Sequence, residues 1–220
     1  MKKLLITIDG PAGAGKTTVS RQLAEQLGYT YIDTGALYRA VAYQAQVNGV
    51  SADDDDSLDQ LCRGLVITFD RSQTGLRLIC NQVDITDHIR TPEITMLASA
   101  VSAKSAVRSY LLDVQRNMGK KKAVVFEGRD MGTVVFPEAD VKFFLSASED
   151  TRAQRRYKEL VDSADITLGE VANDIKRRDQ NDSTRELAPL KPAADAIRID
   201  STDLSIQQVV NQMIAFIREL

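Results

Sequence analysis

The segment Gly10-Pro11-Ala12-Gly13-Ala14-Gly15-Lys16-Thr17 constrains this chain more than any other, because it lies between an apolar run, Leu4 to Ile8, and a helical pattern, Thr17 to Leu27. Its spacing is GxxxxGK[ST] in a strand–loop–helix context. A glycine-rich loop in that place turns its backbone N–H groups inward around phosphate oxygens, with the positive end of the next helix behind them. Lys16 adds a point charge near the outer phosphates, and the Thr17 hydroxyl is suited to help hold a magnesium ion, partly through water. Residues Gly10, Pro11, Ala12, Gly13, Ala14, Gly15, Lys16, Thr17 and Thr18 are therefore read as a nucleoside triphosphate site. The loop alone does not say how the triphosphate is used.

Around this segment apolar runs alternate with helical patterns, the mark of a parallel sheet wrapped by helices. Tyr29 to Ile32, Ala123 to Phe126, Val141 to Leu145 and Ile197 to Ile199 join Leu4 to Ile8 as core strands, and Asp33-Thr34 opens a helix running to about Val47. The expected class is α/β, a P-loop NTPase fold with a five-stranded parallel sheet. Residues 50–120 break the alternation. Asp53 to Asp56 reads as a solvated helix start. Leu65 to Phe69, Leu76 to Cys80 and Val83 to Thr86 read as a small antiparallel sheet with turn signals at Gly75 and Asn81. Thr91-Pro92 marks a helix entry, and Ser205 with Gln208 a capping box for the last helix. One domain is expected, with a core of about 1–49, 121–151 and 183–220 and an insertion of about 50–120. The polar, arginine-dense segment of about 152–182 reads as two helices, with Ser163-Ala164-Asp165 as the turn and Thr167 with Glu170 as a capping box.

The 220 residues suffice for a core without disulfides or a structural metal. The apolar run after Lys2 and Lys3 is too short for a secretory signal, and no stretch has the length of a membrane span. Cys62, Cys80 and the single histidine, His88, form neither a zinc site nor a disulfide framework, so a reduced, cytoplasmic protein is expected. A net charge of -3 argues against nucleic acid as a partner held by bulk electrostatics. Yet arginine outnumbers lysine 17 to 11, and its planar fork suits bidentate phosphate recognition.

Three classes share such a loop: GTP switches, mechanical ATPases and small kinases. The base-reading NKxD of a GTP switch is absent, and the strand Val124-Val125-Phe126 ends in Glu127-Gly128-Arg129-Asp130 rather than in an acidic pair. Arg39, Arg108, Arg129, Arg152, Arg155, Arg156, Arg177, Arg178 and Arg185 are spaced to gather at the open ends of the sheet. Phosphoryl transfer, with its spread negative charge, needs several fixed cations of this kind. A kinase of another small acceptor, such as shikimate, and a phosphate-loop binder without turnover are the alternatives.

Ile8 to Lys16, Asp33-Thr34-Gly35-Ala36-Leu37-Tyr38-Arg39, Glu127-Gly128-Arg129-Asp130-Met131-Gly132-Thr133-Val134-Val135-Phe136-Pro137 and Ala188-Pro189-Leu190-Lys191-Pro192-Ala193-Ala194-Asp195 together resemble the bacterial cytidylate kinases. The likeness runs from about residue 3 to the C-terminus; Thr17 departs from the other small residue many members carry there, and either supplies a hydroxyl. It implies transfer of the γ-phosphoryl group of ATP to CMP or dCMP with magnesium, a nucleoside-monophosphate-binding insertion and a short helical lid. It further implies that Thr34, Arg39, Arg129 and Arg185 contact the acceptor phosphate, that Ser99, Arg108 and Asp130 read the cytosine, and that Arg178 and Asp182 recognise the ribose. Lys16, Arg129, Arg155, Arg156 and Arg177 are the expected catalytic cations. A monomer acting on small nucleotides, away from nucleic acid and membranes, is expected.

Overall fold

The computed structural model describes residues 2–72, 75–161 and 166–219. In chain order the elements are β1 (Leu5–Asp9), α1 (Lys16–Leu27), β2 (Thr30–Asp33), α2 (Thr34–Val47), α3 (Asp55–Arg63), β3 (Ile67–Ser72), β4 (Gly75–Cys80), β5 (Val83–Asp84), α4 (Pro92–Val101), α5 (Ser105–Gly119), β6 (Val124–Gly128), a single π-helical turn (Met131–Val135), β7 (Val141–Ser146), α6 (Glu149–Leu160), α7 (Leu168–Thr184), β8 (Ile197–Asp200) and α8 (Ile206–Arg218). They pack as two compact units, one holding the residues up to Asp33 and from Gly119 onward, the other Thr34–Met118.

In the first unit a five-stranded sheet has the order β2-β6-β1-β7-β8, and every pairing in it is parallel. All residues of β1 and β6 are buried, as a parallel sheet covered on both faces requires. The chain leaves β1 first toward β2 and β6 and later toward β7 and β8, so the crevice of the sheet opens at the carboxyl end of β1. Val19 and Leu23 of α1 and Val209, Val210 and Met213 of α8 close one apolar layer against Ile6, Ile8, Phe143 and Leu145. Gly28 ends α1 in the left-handed region, at φ 66°, where its N–H and that of Tyr29 return to Glu25 and Ala24. Ser205 and Gln208 form the expected capping box on α8.

The second unit surrounds the antiparallel sheet β3-β4-β5. Asp54 caps α3 through the Ser57 N–H, and Thr91 caps α4 ahead of Pro92. Asn81 and Gln82, at φ 47° and 68°, turn the chain between β4 and β5 in the conformation that tight hairpins need. The β3–β4 turn falls on residues 73–74, outside the described residues. Leu37 and Val41 of α2 are wholly buried with Leu58, Leu78 and Leu111, and each such side chain contributes about 1.5–3 kcal/mol relative to exposure. By packing, α2 thus belongs with the inserted elements, although it directly continues a core strand.

Two features lie beyond the sequence expectations. β5 is shorter than the expected Val83 to Thr86, because Thr86 turns its hydroxyl to the Leu78 N–H at 2.8 Å. The segment after β6 is the π-turn, in which the Val135 N–H reaches back to the Asp130 carbonyl at 3.2 Å and that of Phe136 to Met131 at 2.7 Å. Helices α6 and α7 pack through Ala153, Val171 and Ile175, and Thr167 with Glu170 caps α7 as expected. The expected turn at Ser163-Ala164-Asp165 lies outside the described residues.

Candidate active site

The glycine-rich loop leaves β1 at Gly10 and Gly13, whose φ values are 152° and 74°. A Cβ on Gly10 would sit 2.0 Å from the Leu145 carbonyl oxygen, and one on Gly13 2.9 Å from that of Arg152. Neither clash falls on a flexible group, so both positions require glycine. Lys16, buried at the head of α1, folds back to donate to the Pro11 carbonyl at 2.7 Å. Thr17 donates from Oγ1 to Oε1 of Glu127, at 2.9 Å, across the carboxyl end of β6. Thr18 follows in the same first turn, exposed.

The charges here are strained in opposite directions. Burial lowers the proton affinity of Lys16, and the nearby positive charge of Arg129 adds to this, against Glu127, Asp182 and Asp9. Burial raises that of Glu127, reinforced by the neighbouring charge of Asp33 and opposed by Lys16. A bound polyanion relieves the first strain and a bound cation the second. The donor set of Thr17 hydroxyl and Glu127 carboxylate is all oxygen, the chemistry a hard divalent cation prefers, so the residues fit magnesium.

Beyond β6 the first unit gathers five more of the expected residues. Arg129 donates from Nε to Asp182 at 2.8 Å. Arg185 approaches Asp130 at 3.4 Å and Asp182 at 3.7 Å. Asp130 is 2% exposed. Arg178 lies in the same field, where burial and then the charge of Arg129 lower its pKa while Asp182 opposes them. Two carboxylates thus hold two arginines in place at the sheet's open end, and donors aimed in this way bind phosphate without further reorganisation.

Burial alone would raise the Asp182 pKa, but the charge and hydrogen bond of Arg129, with Arg185 and Arg178 behind them, hold it below the ordinary carboxylate range. A depressed pKa contributes stability that is fully present above the unfolded value of about 3.9 and lost as pH falls through the folded one. Urea unfolding at several pH values is the check. The stability gap between the protein and Asp182→Asn is expected to be constant above about pH 5 and to shrink as pH is lowered from 4 toward 2. A gap independent of pH would contradict this.

The remaining expected cations are placed differently. Arg155 is held on Ser201, donating to its carbonyl at 2.6 Å and its hydroxyl at 3.0 Å. Arg156 pairs with Glu159, and Arg177 with Asp174, one turn away on their own helices. Arg152 of α6 is built into the loop: it is buried, donates to the Ala12 carbonyl at 3.0 Å and pairs with Asp179, which in turn accepts the Ala12 N–H at 3.2 Å. In the second unit Thr34 is buried at the start of α2, Arg39 lies about one and a half turns on, and Ser99 lies on α4. Arg108 of α5 donates to the Ser102 carbonyl at 3.1 Å and lies 5.8 Å from the centre of the Tyr38 ring.

Three groups escaped sequence reasoning: Glu127 as partner of Thr17, the Arg152–Asp179 pair, and Asp9. The Asp9 carboxylate, buried at the end of β1, accepts the N–H groups of Met131 at 2.9 Å and Gly132 at 2.7 Å. Burial, with the charge of Asp130 adding, lifts its pKa to about 6 despite those two bonds and Lys16. An acid closing an otherwise apolar parallel strand was the available signal for Asp9 and Glu127, because such ends face the ligand edge of the sheet.

A family model described as cytidylate kinase matches residues 6–219. The chain is 51% identical to the cytidylate kinase of Geobacter sp. (strain M21) over 217 residues, 98% of this chain and 93% of that one. It is 44% identical to the cytidylate kinase of Halalkalibacterium halodurans, covering 100% of this chain and 99% of that one. Among solved structures, the shikimate kinase from Bacteroides thetaiotaomicron superposes with a TM-score of 0.50 at 12% identity, covering 99% of both chains. At that identity the likeness is one of fold.

Proposed function

The chain belongs to the cytidylate kinase family and phosphorylates CMP with ATP, and on that footing we propose how its residues divide the work. The triphosphate of ATP is wrapped by Gly10 to Thr18, with Lys16 on its outer phosphates. Magnesium would be held by Thr17, partly through water, with the Glu127 carboxylate beside it, and would neutralise charge on the phosphates. An oxygen of the acceptor phosphate forms the new bond to the γ-phosphorus as the bond to the bridging oxygen breaks, and ADP leaves with the electron pair. The acceptor is already ionised, so no side chain need act as a strong base. Lys16, Arg129, Arg155, Arg156 and Arg177 are assigned to the charge spread over the transferring group. Residues 152–182 serve as the lid and the insertion as the acceptor-binding part.

Within the first unit, Arg129 and Arg185 are assigned to the acceptor phosphate, Arg178 and Asp182 to the ribose, and Asp130 to the base. Within the second, Thr34 and Arg39 are assigned to the phosphate and Ser99 and Arg108 to the base. The observation that carries this reading is the buried Asp130 beside Arg185. A carboxylate is an acceptor only, so it suits the exocyclic amine of cytosine and opposes the carbonyl that uracil has there. The acceptors are accordingly CMP and dCMP. The free, buried thiols of Cys62 and Cys80 suit a reducing cytoplasm, and no described helix is long and apolar enough to cross a membrane. A monomer acting on small nucleotides rather than nucleic acid fits the same reading.

A coupled assay of ADP release with ATP and CMP, dCMP, UMP, AMP or shikimate tests it. CMP and dCMP are expected to lead, with UMP weaker by about 10- to 100-fold in kcat/KM, the scale of one buried, opposed hydrogen bond. Faster turnover of UMP, AMP or shikimate than of CMP would overturn the assignment.

A further inference from the structure

We infer that Asp9 is a positioning residue for base selection: its carboxylate holds the two amides that follow Asp130 and so fixes where the base-reading side chain stands relative to the phosphate loop. The inference rests on the assignment of Asp130 to the cytosine. Asp9 is the last residue of β1, directly before Gly10. Its oxygens accept from Met131 and Gly132, at 2.9 and 2.7 Å, and these are the first two residues after Asp130. The π-turn they open is closed back onto Asp130, whose carbonyl accepts the Val134 N–H at 2.9 Å and the Val135 N–H at 3.2 Å. Asp130 therefore stands at the root of a turn whose leading amides are tied to the strand that carries the phosphate loop.

The underside of the turn is equally confined. A Cβ on Gly132 would lie 3.1 Å from Thr7 Oγ1 and 3.2 Å from Lys142 Cδ. Lys142 is itself buried, with its ammonium on the Pro137 carbonyl and the Asp195 carboxylate. Asp9 and Asp130 are 4% and 2% exposed, so water does not replace a lost bond at either. Only a carboxylate offers two acceptor oxygens with no donor. Asparagine would keep one and set its own N–H₂ against the other amide, turning a fixed turn into a displaced one.

A role confined to stability and a role in positioning differ in what they do to selectivity. Asp9 also lies in the field of Lys16, so its replacement alters ATP binding and turnover. Those changes are common to both acceptors and cancel in the ratio of kcat/KM for CMP to that for UMP. In Asp9→Asn this ratio is expected to fall about tenfold, the effect of weakening one buried hydrogen bond to a charged group, with Asp130→Asn measured alongside and expected to lower it at least as much. An unchanged ratio in Asp9→Asn beside a lowered one in Asp130→Asn would overturn the inference alone. An unchanged ratio in Asp130→Asn would overturn the base-reading assignment, and the inference with it. If Asp9→Asn does not fold, Asp9→Ser, which removes both carboxylate oxygens without setting an amide N–H₂ against the turn, is read by the same two criteria.

Discussion

Replacing Lys16 by methionine is expected to lower kcat for CMP phosphorylation by about 10³-fold, close to 4 kcal/mol of transition-state stabilisation. Methionine keeps the apolar stem and most of the volume and removes only the ammonium. Lys16 is buried and donates to the Pro11 carbonyl, in surroundings that lower its proton affinity. Burying its charge is therefore costly, and bound phosphates add to the offset that Glu127, Asp182 and Asp9 already provide. Little of the cationic group is screened by water there, so its attraction to the charge that develops during transfer is strong. The sign of the stability change follows from its neighbours: Lys16 offsets the buried carboxylates of Glu127 and Asp9, so the variant should melt below the parent, because removing one charge leaves the others uncompensated. Steady-state kinetics with thermal melting checks both. A variant with a raised KM for ATP and an unaltered kcat would show that Lys16 binds the ground state only.

Asp130→Ala is the second large effect. The variant is expected to lose about 100-fold in kcat/KM for CMP, the cost of removing an acceptor to a buried donor and of leaving Arg185 without one of its carboxylate neighbours. UMP, which has no amine for Asp130 to accept, should lose far less. The two acceptors thus converge, and selectivity falls mainly because the preferred one becomes worse. Asp130 is 2% exposed and lies 3.4 Å from Arg185, so part of any loss falls on the positioning of that arginine. That part affects both acceptors alike and is separated from base reading by comparing them. Near-normal CMP kinetics in Asp130→Ala would contradict the assignment.

What the sequence makes legible and what it hides divide along a physical line. Leu4 to Ile8, Val141 to Leu145 and the other core strands were readable because burial on both faces leaves a continuous apolar run, and each falls within a residue or two of the observed strand. The caps of α3, α4, α7 and α8 and the hairpin at Asn81 were readable because their chemistry is local to four or so residues. The π-turn was not, because its amides are satisfied by Asp9, more than a hundred residues away in sequence. Helix α2 gave no sign that its apolar face belongs to the second unit, since periodicity shows that a face is buried but not against what. The arginines were readable as a class, while their partners were not. Arg155 on Ser201 and Arg152 on Ala12 and Asp179 are set by tertiary placement. Glu127 was visible as the acid closing β6, but its bond to Thr17 depends on the neighbouring register of β1 and β6.

A crystal structure with CMP bound decides whether Asp130 reads the base. The expected result is a carboxylate oxygen of Asp130 within about 2.7–3.2 Å of the exocyclic nitrogen of cytosine, the range of an N–H···O bond, with Arg129 and Arg185 on the phosphate. A bound CMP whose amine meets another acceptor, while Asp130 remains turned to Arg185, would contradict it.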